Sequence, residues 1–181
     1  MLLEELTAAP ELPVTRAALS AHLRLGEGFA EPSGEDDLLD RLIGAATRVV
    51  EARAGLALVT RRFRLSVSDW DRDGYLVLPV GPVVEIASAT LGSMTLDGLA
   101  VTPGTTRQRL TRSGALLPPI PWGKAAVLEF DAGFGSAGAV PVDLREAVLL
   151  IAAQAYDDRT GRAPMPERLP LLLAPYRAVR I

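Results

Sequence analysis

The sequence contains no cysteine, one histidine (His22) and one lysine (Lys124) among 181 residues. Without cysteine there is no disulfide, no thiolate metal site and no cysteine nucleophile. A single histidine excludes a multi-histidine metal centre and leaves one candidate for an imidazole base. No apolar run approaches the ~18 residues that a membrane-spanning helix requires. The opening MLLEELTAAPELP is acidic and broken by prolines, and it lacks the basic start and apolar core of a signal peptide. Net charge is −3, so no general basic field draws the chain to nucleic acid. What remains is ordinary for a globular protein: 49% hydrophobic and 23% charged residues, with nearly all cations arginine. A chain this long can bury roughly 70% of its unfolded surface, enough for one good core or two small ones.

Two helical periods come first. Ala18, Leu19, His22 and Leu23 share a face over residues 14–25, with Thr15 as a cap and Gly26 and Gly28 as terminators. After the loop FAEPSG, Leu38, Leu39, Leu42, Ile43, Ala46, Val49 and Val50 form a wide apolar stripe over 35–54. Ser33 or Gly34 begins that helix, Glu35, Asp36 and Asp37 fill its first turn, and Gly55 is placed to end it. The period then changes to two. Phe63, Leu65 and Val67 alternate with Arg62, Arg64, Ser66 and Ser68, predicting a half-buried strand. DRDG (71–74) reads as a turn. Further short strands are expected at YLVLP, at 83–91 with Val84, Ile86 and Ser88 on one face, at 106–111 and at 125–130, and LDG (96–98) marks a hairpin turn. No crossover helices are visible, so this region is expected to be an antiparallel sandwich or open barrel. A last helix is predicted over 143–157, with Asp143 and Glu146 resembling a capping box. The segment beyond it is rich in proline and leucine and is expected to hold a short helical turn around 167–173.

The fold class expected is thus α+β: three main helices, a β-rich antiparallel insertion between the second and third, and an extended C-terminal tail. The divisions are 1–56 for the N-terminal helices, 57–135 for the β insertion, 136–160 for the C-terminal core helix and 161–181 for the tail.

Gly133, Gly135 and Gly138 spell G-x-G-x-x-G between an apolar strand and a helix. A dinucleotide cradle needs its helix to open inside the motif, a second parallel strand beyond it, and an acid at that strand's end. Here Pro141 and Asp143 start the helix after the third glycine. No strand-like run follows, and Asp157 and Asp158 fall at a helix end. The motif is read as a flexible turn, with a small nucleotide-binding enzyme using the 133–138 loop as the rival.

The remaining candidates each have a plain alternative. His22 is a packed or interface histidine rather than a base. Glu35, Asp36 and Asp37 suit a helix dipole better than a metal. Asp69, Asp71, Asp73 and Gly74 suggest a calcium loop, but Val80 stands where the bidentate glutamate belongs. Arg61, Arg62, Arg64 and Arg72, with Arg107, Arg109 and Arg112, form either a solvated sheet face or a subunit interface, for which Arg62, Arg64, Arg107 and Arg109 are the candidates. Leu169, Leu171, Leu172, Leu173, Tyr176, Val179 and Ile181 give the tail much apolar surface, beside Arg177 and Arg180. Either the tail folds back on its own core or it docks into a partner, and docking would leave a folded protein after deletion of 163–181. No catalytic residue, cofactor or metal ligand is assigned.

Taken in order, these segments resemble the head–tail connector (adaptor) proteins of long-tailed phages and gene transfer agents. Leu78, Pro79, Pro82, Val83 and Ile86 match one pattern of that family. Phe130, Ala132, Gly133, Phe134 and Gly135 begin a second, which continues through Val140, Pro141, Asp143, Leu144, Ala147, Leu149, Leu150, Tyr156 and Arg159. The resemblance covers most of 13–181. It implies a structural subunit with no bond chemistry, forming a ring of twelve copies below the portal protein in the particle neck. Such a ring extends the DNA channel without binding DNA specifically and meets a stopper or tail-terminator protein below. It implies that the tail segment reaches the portal, that no membrane is involved, and that the subunit lies in the host cytoplasm before assembly. A monomeric protein-binding module is the other alternative.

Overall fold

A computed structural model describes residues 1–25, 34–71, 74–113, 115–158 and 164–176. Its first element was not foreseen. Strand β1 (Leu2–Glu5) has every residue exposed and exists because it pairs antiparallel with β2 (Arg61–Val67), Leu2 opposite Ser66 and Glu5 opposite Phe63. Helix α1 (Arg16–Leu23) starts where Thr15 accepts a hydrogen bond from the Ala18 amide, as the sequence suggested. It ends at Arg24, which takes the left-handed conformation, φ +57°, and donates its N–H to Ala21. The expected terminators Gly26 and Gly28, and the cap residue Ser33, lie outside the described residues. His22 is exposed, so its placement on the apolar face is corrected. Helix α2 (Gly34–Ala54) buries Leu39, Ile43, Ala46 and Val50. It stops at Gly55, whose φ of +67° favours glycine.

The β region is antiparallel throughout its strands. One sheet runs β1-β2-β8-β4-β5, with β4 at Val83–Leu91, β5 at Met94–Thr95 and β8 at Ala126–Ala132. A second, smaller sheet runs β3-β7-β6, with β3 at Leu76–Val77, β6 at Leu99–Val101 and β7 at Arg109–Arg112. Strict alternation in β2 sends Arg61, Phe63, Leu65 and Val67 inward. The same alternation in β8 buries Ala126, Leu128, Phe130 and Ala132. Phe63 and Phe130 are register partners, and their rings stack with centroids 5.9 Å apart. Strand β4 departs from the expectation. Irregularities between Val83 and Glu85 and between Ile86 and Ser88 shift its register. As a result Val84 is exposed, and Val83 and Ile86 pack on the β core instead.

Helix α3 (Val142–Asp157) is capped by Pro141, and no side chain caps it. The expected Asp143–Glu146 capping box is therefore absent. Asp143 is already inside the first turn, where Oδ1 accepts from the Leu144 amide and from the Tyr176 hydroxyl. A short fourth helix, α4 (Leu169–Leu172), lies where a helical turn was expected around 167–173, and a 3-10 turn at Ala174–Tyr176 completes the described chain.

Two apolar clusters result. The helical one joins α1, α2, α3 and α4 through Leu19, Ile43, Leu144, Val148, Leu169 and Leu173. The β one fills the space between the two sheets with Phe63, Leu65, Leu76, Leu110, Leu128 and Phe130. Leu56, Ala57, Leu58 and Val59 form the buried seam between them, with Ala57 in the β cluster and the other three in the helical one.

Candidate functional site

The glycine segment lies along that seam. Its amides point back into the protein. Gly133 N–H donates to Pro82 (2.8 Å), Phe134 N–H to Leu58 (3.1 Å) and Gly135 N–H to the Thr60 hydroxyl (2.8 Å). The Ala137 amide donates to Glu11 of the N-terminal segment at 2.7 Å. A phosphate cradle needs such groups free. The glycines serve geometry instead: Gly133 and Gly135 have φ of +140° and +111°, and Gly133 lies against the Val59–Thr60 backbone.

Beside the seam sits a buried charge cluster that the sequence reading missed. Arg61 enters the inward phase of β2 and makes two hydrogen bonds of 2.9 Å to the Glu51 carboxylate on α2. Its Nε lies 3.0 Å from Glu5 on β1, in ion contact without hydrogen-bond alignment. Glu51 also accepts from the Leu58 amide at 2.8 Å. Burial alone would lower the Arg61 pKa, but the hydrogen bonds and charges of Glu51 and Glu5 outweigh it and raise it. One guanidinium thus joins the helical layer, the sheet and the N-terminal strand.

The arginines offered for an interface divide. Arg62 and Arg64 are held in cross-strand pairs by Asp131 (2.8 Å) and Glu129 (2.7 Å). Arg109 stacks over Tyr75 at 4.5 Å and Arg107 is exposed, and neither makes an ion pair among the described residues. The acids at the start of α2 are similarly employed. Asp36 and Asp40 clamp Arg16 of α1, and Glu35 accepts from Tyr156 of α3 at 2.6 Å. Asp71, from the suspected calcium loop, accepts the Val77 amide, and Asp73 lies outside the described residues. Among the described residues no three acidic or histidine side chains are grouped to hold a metal.

The tail also divides. Leu169 and Leu173 are buried in the helical core, Leu172 and Tyr176 are half-buried, and Leu171 is exposed. Gln154 of α3 donates to the Pro164 carbonyl and holds the start of this segment. Arg177, Val179, Arg180 and Ile181 lie outside the described residues. Deleting 163–181 would strip Leu169 and Leu173 from the core, so a folded product is no longer expected.

Tyr176 carries a pH signature. Burial, then its hydrogen bond to Asp143 and that carboxylate's charge, push its pKa from 10.0 up to about 12. A raised folded value makes this contribution complete below about pH 10 and drains it as pH rises towards 12. Tyr176→Phe is expected to cost about 1 kcal/mol at neutral pH and to flatten the alkaline limb of stability. Denaturant titrations between pH 7 and 12 check both.

Solved structures similar to this chain include three whose match spans 100% of it and 97% of the solved chain. The neck of an empty gene transfer agent particle, computed with C6 symmetry, is 38% identical with a TM-score of 0.88. The virion of a native gene transfer agent particle gives 38% and 0.85. The neck of the native particle, computed with C12 symmetry, gives 35% and 0.77. The chain belongs to the head–tail connector family. No protein-family model and no curated protein matches the sequence. As a member of that family it is a structural neck component rather than an enzyme. The residues that carry the family pattern are mostly core and turn positions: Leu78, Phe130, Ala132, Val140, Leu144 and Ala147 are buried, and Gly133 makes the close backbone approach.

Proposed function

We propose that this chain forms a closed ring, of twelve copies, below the portal of a phage or gene transfer agent particle. The ring extends the DNA channel and joins the capsid to a stopper or tail-terminator protein. The observation that carries the reading is full-length similarity, at 38% identity, to the neck of a gene transfer agent particle. A relative whose neck was computed with C12 symmetry supports the copy number. A net charge of −3 suits a channel that passes DNA, since a basic lining would hold the phosphates. Subunits gather from the host cytoplasm at the particle neck. Of the four candidate arginines, Arg107 and Arg109 make no ion pair among the described residues and are the ones offered to a neighbour, Arg109 from its place over Tyr75, whereas Arg62 and Arg64 are already paired.

In this reading the end of the tail reaches the portal. Leu171 is the exposed leucine of α4, and Arg177, Val179, Arg180 and Ile181 continue from Tyr176. Leu169 and Leu173 act indirectly, by holding Tyr176, the residue before that segment, against the helical core. Removing 177–181 keeps Leu169, Leu173 and the Tyr176–Asp143 hydrogen bond, so the truncated chain is expected to fold. The truncated protein should no longer join portal-bearing capsids. Thermal melting together with immunoblots of purified particles tests this, and normal incorporation of the truncated chain would contradict tail docking.

A further inference from the structure

The segment between β7 and β8 reads Leu117-Pro118-Pro119-Ile120-Pro121-Trp122-Gly123-Lys124. Three prolines restrict its backbone. The Trp70 indole donates to the Pro118 carbonyl at 2.7 Å, Leu117 is buried, and Ile120 packs on the β core. The Lys124 amide closes the tip onto Pro121 at 3.0 Å, with Gly123 at φ +74°. On this braced turn Trp122 is wholly exposed. With the backbone beneath it already braced, docking has only the indole's side-chain torsions to order, and tryptophan is a residue type enriched among interface anchors.

The same chain carries a matching recess. A groove of about 440 Å³ runs between α1 and α3, walled by Val14, Ala18, Val142 and Leu149 and edged by Arg145 and Glu146. Val142 is 71% exposed at its mouth. The Arg145 Nε is shielded from water and has no hydrogen-bond partner among the described residues. Neither Glu146 nor Lys124 makes an ion pair among them.

We propose that Trp122 of one copy seats in the α1/α3 groove of the next, its indole against Arg145 and Lys124 opposite Glu146. The inference rests on the ring reading above and names one contact that builds the ring. Charge complementarity selects the occupant: the knob pairs an aromatic face with an ammonium, and the groove pairs apolar walls with a guanidinium and a carboxylate. Knob and groove lie on different parts of the chain, so the contact is heterologous and can close into a ring. An indole buries roughly 150–250 Å², a substantial share of the roughly 800 Å² that each side of a standard interface buries.

The cysteine-free sequence permits a clean test. Particles are produced with the full-length chain keeping Trp122 and carrying both Pro121→Cys, exposed beside it, and Val142→Cys at the groove mouth, treated with a short bis-maleimide cross-linker, and run on a denaturing gel beside the single variants. The expected result is a ladder of covalent oligomers from the double variant alone. A second arm avoids new cysteines: Lys124→Glu and Glu146→Lys should each reduce incorporation at least tenfold, and their combination should restore it, with unchanged melting throughout. A neck ring visible by cryo-EM without a ladder, or with dimers only, overturns this contact and leaves the ring reading intact. Absence of any ring containing this chain overturns both.

Discussion

Gly133→Ala is expected to destabilise the protein severely while leaving a folded population to titrate. Its φ of +140° is a conformation that L side chains rarely adopt, and a Cβ there would collide with the Thr60 backbone and sit 2.7 Å from the Val59 carbonyl carbon. Backbone strain and overpacking together should cost about 4 kcal/mol, a large part of the 5–15 kcal/mol that roughly bounds such a chain's stability. The neighbouring glycines supply the control. A Cβ on Gly135 meets Ala139 at 3.5 Å, so Gly135→Ala pays only for its φ of +111°. Gly138→Ala meets nothing closer than the Ser136 hydroxyl at 4.0 Å and should stay within about 0.5 kcal/mol. Guanidinium denaturation of the three variants gives the ranking. If the motif were a nucleotide cradle, its glycine variants would lose affinity for ATP or NAD in calorimetry while keeping their melting temperatures.

Glu51→Ala is expected to be nearly as damaging, for a different reason. The variant leaves the buried Arg61 guanidinium with Glu5 as its one carboxylate among the described residues, beside a 3.3 Å hydrogen bond to the Val59 carbonyl, and leaves the Leu58 amide without its acceptor. Removing one partner of a buried pair costs about 3–5 kcal/mol. Replacing both members with apolar residues, Glu51→Leu with Arg61→Met, should recover part of that. The shortfall should be about 1–3 kcal/mol, set by the unpaired Leu58 amide. The full cycle by denaturant titration measures the coupling. A Glu51→Ala loss below 1 kcal/mol would show that the cluster is not a structural tie.

These two sites show where the sequence was informative and where it was not. Helix α2 was legible because acids, apolar stripe and Gly55 all agree. Strands β2 and β8 were legible because their alternation is strict. Strand β1 was not, since LLEE buries nothing and becomes a strand only by pairing with the edge of β2. In β4 the register shifts turn Val84 outward, which a period of two cannot anticipate. The glycine loop was correctly rejected as a cradle from its position before α3, but its role against Thr60 needed coordinates. Arg61 carried an unused signal: it shares the parity of Phe63, Leu65 and Val67, and an arginine facing inward requires a buried acid. Asp143 looked like half of a local cap, yet its partner is Tyr176, 33 residues away in sequence. The leucines of the tail could not be divided between core and surface by pattern, because the prolines break every period.

The most direct test of the whole account is a cryo-EM reconstruction of the particle neck from cells expressing this chain. The account predicts density that fits the two-layered subunit in a closed twelve-fold ring between portal and tail, with the chain end directed at the portal. A neck complete without this chain, with the protein recovered only as a free monomer, would contradict it.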